Sequence, residues 1–193
     1  MTTQLTSITR TENYRLVPPS GTFEIDPVHT FVTFRAQHLV VGRVRGTFTG
    51  VAGTINVDDE FLTSRVEVAI ETKSINTLFP TRDDDLRSPD YLDVERFPHM
   101  TFRSSEITEL PPDQWIVTGE LTIRNMTLPV DLLFEFTGAM PDPFGNLRLG
   151  FHATTTISRR EFGLLTLLEA HSGNLRVARD VEIEIDVEAI RPL

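Results

Sequence analysis

The densest group of ionisable side chains in the sequence is Arg82-Asp83-Asp84-Asp85. Three consecutive carboxylates beside a guanidinium are the material of a divalent-cation site or of an acid and base pair. Neither EF-hand spacing nor a companion pair of histidines accompanies them, and acids at the start of a short helix also complement its dipole. The five histidines, His29, His38, His99, His152 and His171, never fall at a metal-ligand spacing such as HExxH. Ser158 and Ser172 lie in no nucleophile-elbow context, and no Gly-Lys-Ser/Thr follows Gly42 to Gly46 to complete a phosphate loop. The chain has no cysteine, which excludes disulfides, thiolate metal sites and thiol nucleophiles. These patterns name no catalytic residue, no metal ligand and no cofactor.

The acidic run sits in Ser74 to Phe102, the one long stretch where alternation of apolar and polar residues stops. Before it Val66, Val68 and Ile70 recur at period two, and after it Met100 and Phe102 resume that period. Arg82 to Leu86 reads as a short helix, and Pro89 and Pro98 interrupt anything longer. The stretch is a helical crossover between strands.

Elsewhere the alternation predicts strands. Phe23 and Ile25 lead into Asp26-Pro27, then Val32, Phe34 and Ala36 share a face, which reads as two strands joined by a tight turn. Val44, Gly46 and Phe48, then Val51, Gly53, Ile55 and Val57 continue the period, with glycines that mark bulges or sharp coiling. Trp115 to Ile123 and Val130 to Phe136 predict a hairpin around an Asn125 to Pro129 turn. Leu147 to Ile157 gives a long strand, and Val181, Ile183, Ile185 and Val187 alternate with acids. Leu164 to Leu168 is apolar without that period and reads as a loop or short helix closing one end. Strands of this number and length close most simply into an all-β, antiparallel, eight-stranded barrel, whose lumen is either packed with side chains or holds one slender ligand. Residues 1–20 are polar and read as an arm, ordered only where Tyr14 and Leu16 find a surface; residues 21–193 form the barrel domain.

A net charge of -10 and no basic stripe argue against nucleic acid and against electrostatic docking on an anionic membrane. No run approaches the ~18 apolar residues of a membrane-spanning helix. The first twenty residues lack the apolar core of a secretory signal, so with Met1 as the start the protein is expected in the cytoplasm. Thirteen Phe against 2 Tyr and 1 Trp favour a dry interior.

Several blocks resemble the YceI-like family of polyisoprenoid-binding proteins. They are Ile25-Asp26-Pro27-x-His29-Thr30-x-Val32-x-Phe34 with His38 and Gly46-x-Phe48; Ser74-Ile75-Asn76-Thr77, Arg82-Asp83-x-x-Leu86 and Tyr91-Leu92-Asp93; and Gly119-x-Leu121-Thr122-Ile123 with Arg159-x-Glu161-Phe162-Gly163. Together they span roughly residues 21 to 190 in the family's order. The chain departs at Asp85, where the family often has histidine, and at Glu161, where it usually has aspartate. The resemblance implies a lipocalin-like barrel with a short helical crossover, threaded by a polyprenyl chain or quinone tail. The expected contacts are Val32 and Phe34, Phe48, Val68, Phe102, the Val117-Gly119-Leu121 face, Phe134, the Phe151-Ala153 face, Phe162, and Val181 with Ile183. Gly119 and Ala153 are expected to leave room for the ligand, and His29 and His38 match family positions near a barrel mouth where a polar head group would sit. Arg82 and Asp83 are expected to tie the crossover to the barrel as a bidentate pair. The leading function is a non-enzymatic carrier or sequestering protein for an isoprenoid lipid, with no other cofactor. The alternative is an enzyme acting on a small hydrophobic molecule in the same cavity, and a homodimer stays open.

Overall fold

The computed structural model describes residues 8–39, 41–164 and 177–193. Two short strands, β1 (Arg10–Glu12) and β2 (Arg15–Val17), pair only with each other. They are followed by β3 (Gly21–Ile25), β4 (Phe31–His38), β5 (Gly42–Phe48), β6 (Val51–Val57) and β7 (Arg65–Glu71). The two-residue β8 (Ile75–Asn76) precedes helix α1 (Pro80–Arg87). Five long strands complete the chain: β9 (His99–Leu110), β10 (Gln114–Ile123), β11 (Met126–Pro141), β12 (Asn146–Ser158) and β13 (Val177–Pro192).

The strands close into an antiparallel eight-stranded barrel, with one short α-helix among the described residues. Its order is β12-β11-β10-β9-β7-β6-β3-β13, and pairing of β12 with β13 from Asn146 opposite Pro192 to Ser158 opposite Asp180 shuts the ring. The two strands expected to flank a tight turn, β3 and β4, do not face each other as a hairpin. They lie end to end against β13, β3 at Ala189 and Ile190 and β4 from Val181 to Asp186. Residues 26–30 loop out between them, and the hydrogen-bonding groups of Glu188 opposite the break are still satisfied. The Asp26 amide donates to the Glu188 carbonyl at 2.8 Å, while the Thr30 hydroxyl accepts the Glu188 N–H at 3.3 Å. Strands β5 and β6 return in the same way through Thr49 and Gly50, pairing with β4 and β3.

The turn between β10 and β11 is tighter than the sequence suggests, since Ile123 pairs with Met126 and Pro129 lies within β11 opposite Glu120. The pairing of β11 with β12 begins only at Leu133, so Pro129 has a free edge on which its missing N–H is tolerated. A bulge at Ser105 in β9, opposite Gly119, reverses the inward parity from Ser104 to Ile107.

The crossover carries irregular backbone whose carbonyls need donors, and arginines supply them. Arg87 donates to the carbonyls of Ile75 at 2.7 Å and Lys73 at 3.0 Å, and Arg124 to that of Tyr91 at 3.1 Å. Pro80 opens α1 at a position where no N–H is required. Arg82 and Asp83 do not form the expected bidentate pair. Both converge on Thr77: Arg82 Nε donates to the hydroxyl at 2.7 Å, and that hydroxyl and the Thr77 amide donate to Asp83 Oδ1 at 2.5 and 2.8 Å. The link to the barrel is Thr77 itself, whose methyl packs into the space over Gly46 of β5, beside the Phe34 ring.

The core has two parts. At one end Val17, Phe23, Val57, Phe61, Trp115 and Leu149 pack tightly, and the β1–β2 hairpin covers them. Val17 and Pro18 are the buried residues of that segment, while Tyr14 and Leu16, expected to dock, are exposed. Arg10 fixes the hairpin by donating to the carbonyls of Pro18 at 3.0 Å and Asp58 at 2.7 Å. At the other end Ile75, Leu92, Val94, Phe162 and Leu164 pack around Ile25, Val32 and Ile123. Of the apolar segment expected to close one end, only Leu164 is described; residues 165–168 lie outside the described residues, as do His171 and Ser172.

Candidate functional site

The lumen is packed in one half and hollow in the other. A cavity of about 220 Å3 runs from the Phe134 and Phe151 rings toward the crossover. Each strand contributes its inward residues: Val32 and Phe34 on β4, Phe48 on β5, Val68 on β7, Phe102 on β9, Val117 and Leu121 on β10, Phe134 on β11, Phe151 and Ala153 on β12, Val181 and Ile183 on β13. All of these are among the contacts that the resemblance implies. The wall is hydrocarbon apart from Thr30, Tyr91, Thr155 and Arg159.

Two expected contacts fall elsewhere. Gly119 is buried and inward-facing but opens no lumen, because a Cβ there would lie 2.5 Å from Phe102 Cζ and 2.5 Å from the Arg103 carbonyl oxygen. The ring and the bulged β9 backbone already fill the space that glycine leaves. Phe162 is buried at 2% exposure in the packing around Leu164 and does not reach the cavity. It anchors the turn after β12, where its amide donates to Ser158 at 3.4 Å.

His29 and His38 lie off the cavity. His29 is exposed, with Nδ1 2.8 Å from the Asp26 carboxylate. His38 ends β4, paired with Gly42 at the start of β5, and is half-buried. The Asp26 carboxylate also accepts Arg148 Nη1 at 2.6 Å, which reaches Glu188 at 2.6 Å as well. Burial raises the Asp26 pKa, but hydrogen bonds from Arg148, His29 and the Val28 amide outweigh it and hold the group at about 2. Asp26, His29 and Glu188 are close enough to share an ion, yet the Arg148 guanidinium already supplies their positive charge. This cluster staples the β3–β4 break to β12 and β13. The run Asp83-Asp84-Asp85 is dispersed: Asp83 serves Thr77, Asp84 pairs with Arg87 at 3.3 Å, and Asp85 is exposed.

The far end of the cavity is shaped by Leu164, from the segment expected to close one end, and by residues that sequence reasoning did not assign to the cavity: Leu86, Tyr91 and Leu92 from the crossover, and Arg159 from the turn after β12. All lie in or beside the quoted motifs, but irregular segments have no period that tells which side faces in. Arg159 is buried, and its guanidinium donates to the carbonyls of Ala178 at 3.0 Å, Val177 at 3.0 Å and Leu164 at 3.3 Å. It holds the turn to the start of β13 and borders the cavity.

The family model for the YceI-like domain matches residues 23–189. The chain belongs to that family. A UPF0312 protein of Pectobacterium atrosepticum is 36% identical over 170 residues, covering 88% of this chain and 85% of that protein. The crystal structure of BcnA from Burkholderia cenocepacia superposes with a TM-score of 0.76 at 19% identity, over 85% of this chain and 98% of BcnA. A polyisoprenoid-binding domain from Saccharophagus degradans, implicated in plant cell wall breakdown, shares the fold at a TM-score of 0.64 and 13% identity, over 88% and 98%. The YceI-like match and these structures agree with the barrel topology described above.

Proposed function

We infer that this YceI-like protein binds an isoprenoid lipid in the hollow half of its barrel and serves as its carrier or store. The observation that carries this reading is the cavity wall, which is apolar except at Thr30, Tyr91, Thr155 and Arg159 and holds, among the described residues, no carboxylate and no imidazole. The commonest general acids and bases, carboxylate and imidazole, are therefore missing from its described lining, so binding fits better than turnover. An apolar void of about 220 Å3 forgoes about 5 kcal/mol of packing that a hydrocarbon ligand restores. Each buried CH2 adds ~0.8 kcal/mol, less the cost of ordering the tail. Because the packed half closes one end of the cavity, a tail-first orientation is favoured, with the head at the end bordered by Tyr91 and Arg159. The polyisoprenoid-binding domain of the same fold supports the choice of ligand class.

Organic extraction of the purified protein followed by mass spectrometry is expected to yield an isoprenoid near one per chain. A fluorescent prenyl analogue should then bind the delipidated protein saturably. Folded, delipidated protein that takes up no analogue would overturn the reading, and chemical conversion of the analogue would move it to the enzyme class.

A further inference from the structure

The cavity ends at a definite level. On β13 its wall runs from Val181 to Val187 and stops before Ala189, which is 0% exposed. On β12 it runs from Ile157 to Phe151 and stops before Leu149, also 0% exposed. On β10 it runs from Ile123 to Val117 and stops before Trp115. Three walls thus end together on an aromatic floor. Phe134 stacks on Phe151 with centroids 5.2 Å apart, and Trp115 meets Phe134 edge-on at 6.2 Å from behind. Phe61 backs Trp115 at 5.2 Å, so no space continues beyond the floor along this line.

We propose that Phe134, stacked on Phe151 and backed by Trp115, is a stop that limits the enclosed isoprenoid tail to about three to four isoprene units, a length set by the depth of the cavity. This rests on the isoprenoid reading above. Six residue steps at ~3.3 Å, along strands tilted by about 40°, span about 15 Å of barrel axis, or about three extended units. The crossover and the Arg159 to Leu164 turn extend the wall beyond Val181, which admits a fourth. The last unit lies at the level of Ala153, which pairs with Phe134 and is small enough to leave the floor open. Units beyond the fourth stay outside the hydrocarbon wall and gain little.

The test is a chain-length series of prenyl alcohols of two to nine units, each with the same fluorescent head label, titrated into delipidated full-length protein. Affinity is expected to rise at least tenfold per unit up to the third or fourth and to change less than threefold per unit thereafter. Ala153→Leu raises the floor, so the ratio of four-unit to two-unit affinity should drop at least tenfold while the two-unit probe still binds. Phe134→Leu lowers the floor and should raise the ratio of five-unit to three-unit affinity; Ala153→Leu stands on its own if that variant fails to fold. Affinity that keeps climbing tenfold per unit past the fifth, or a four-to-two ratio unmoved by Ala153→Leu, overturns the stop while leaving isoprenoid binding intact. Absence of saturable binding by every probe overturns both.

Discussion

The ring of Phe102 occupies the place a side chain at Gly119 would take: a Cβ on Gly119 would sit 2.5 Å from Phe102 Cζ. The same Cβ would lie 2.5 Å from the backbone oxygen of Arg103, which cannot swing aside as a side chain can. Gly119 is thus a packing requirement of the β9 bulge. Gly119→Ala is expected to destabilise the delipidated protein by ~1 to 3 kcal/mol in a denaturant melt, and Gly119→Leu by more. Adding Phe102→Leu to Gly119→Ala should restore only part of the loss, because the carbonyl remains. Wild-type stability in the single Ala variant would contradict this packing.

Thr77 joins the crossover to the barrel through a hydroxyl shared by Arg82 and Asp83. Thr77→Val keeps the shape and the methyl over Gly46 but leaves a buried carboxylate short of one donor and a guanidinium short of one acceptor. A loss of ~1 to 3 kcal/mol is expected. Hydrogen exchange followed by mass spectrometry should quicken across Thr77 to Phe97 and stay slow in β10 and β12. Uniform quickening of all strands would instead place Thr77 in the global core.

The Asp26 and Arg148 pair predicts acid sensitivity. The folded pKa of Asp26 lies at about 2, below the ordinary 3.8, so the carboxylate form is favoured by folding. Its contribution is fully present above about pH 4 and is lost as pH falls toward 2; a shift of this size corresponds to about 2 kcal/mol. Arg148→Met removes the largest of the hydrogen bonds that lower it, leaving burial to push the pKa back up. Denaturant midpoints from pH 7 to pH 2.5 should show the acid-induced decline beginning at higher pH in this variant than in wild type. Parallel curves would show that the pair is not what sets acid stability.

Alternation along the chain was enough to read the barrel and most of its inward wall, because a side-chain period of two reports which face of a strand is buried. It could not report depth. Leu149 and Phe151 carry the same signal, yet one lies in the packed half and the other on the cavity floor. That difference depends on Trp115, Phe61 and Val17, which arrive from other strands and from the hairpin at the N-terminus. Gly119 misled for a related reason, since an absent side chain marks space without telling what fills it. The β3–β4 break was read as a hairpin turn because Asp26-Pro27 is turn chemistry, and only the pairing with β13 shows that the chain continues in line.

Trp115 offers a reporter for how a tail lies in the lumen. It is the sole tryptophan, 2% exposed, separated from the cavity by Phe134 and capped from the hairpin side by Arg15, whose guanidinium carbon lies 5.7 Å from the ring centroid. Tyr91 and Arg159 border the cavity at its other end, so a tail entering first brings its terminal unit nearest the indole and leaves its head some 15 Å away along the axis. A four-unit prenyl probe brominated on its terminal unit should quench Trp115 emission strongly on binding. The same probe brominated beside the head should bind equally well and quench little. Acrylamide should remain a poor quencher with either probe bound, because the floor stays closed to solvent. Stronger quenching by the head-brominated probe would reverse the orientation, and equal quenching by both would mean that the tail doubles back instead of lying extended against the floor.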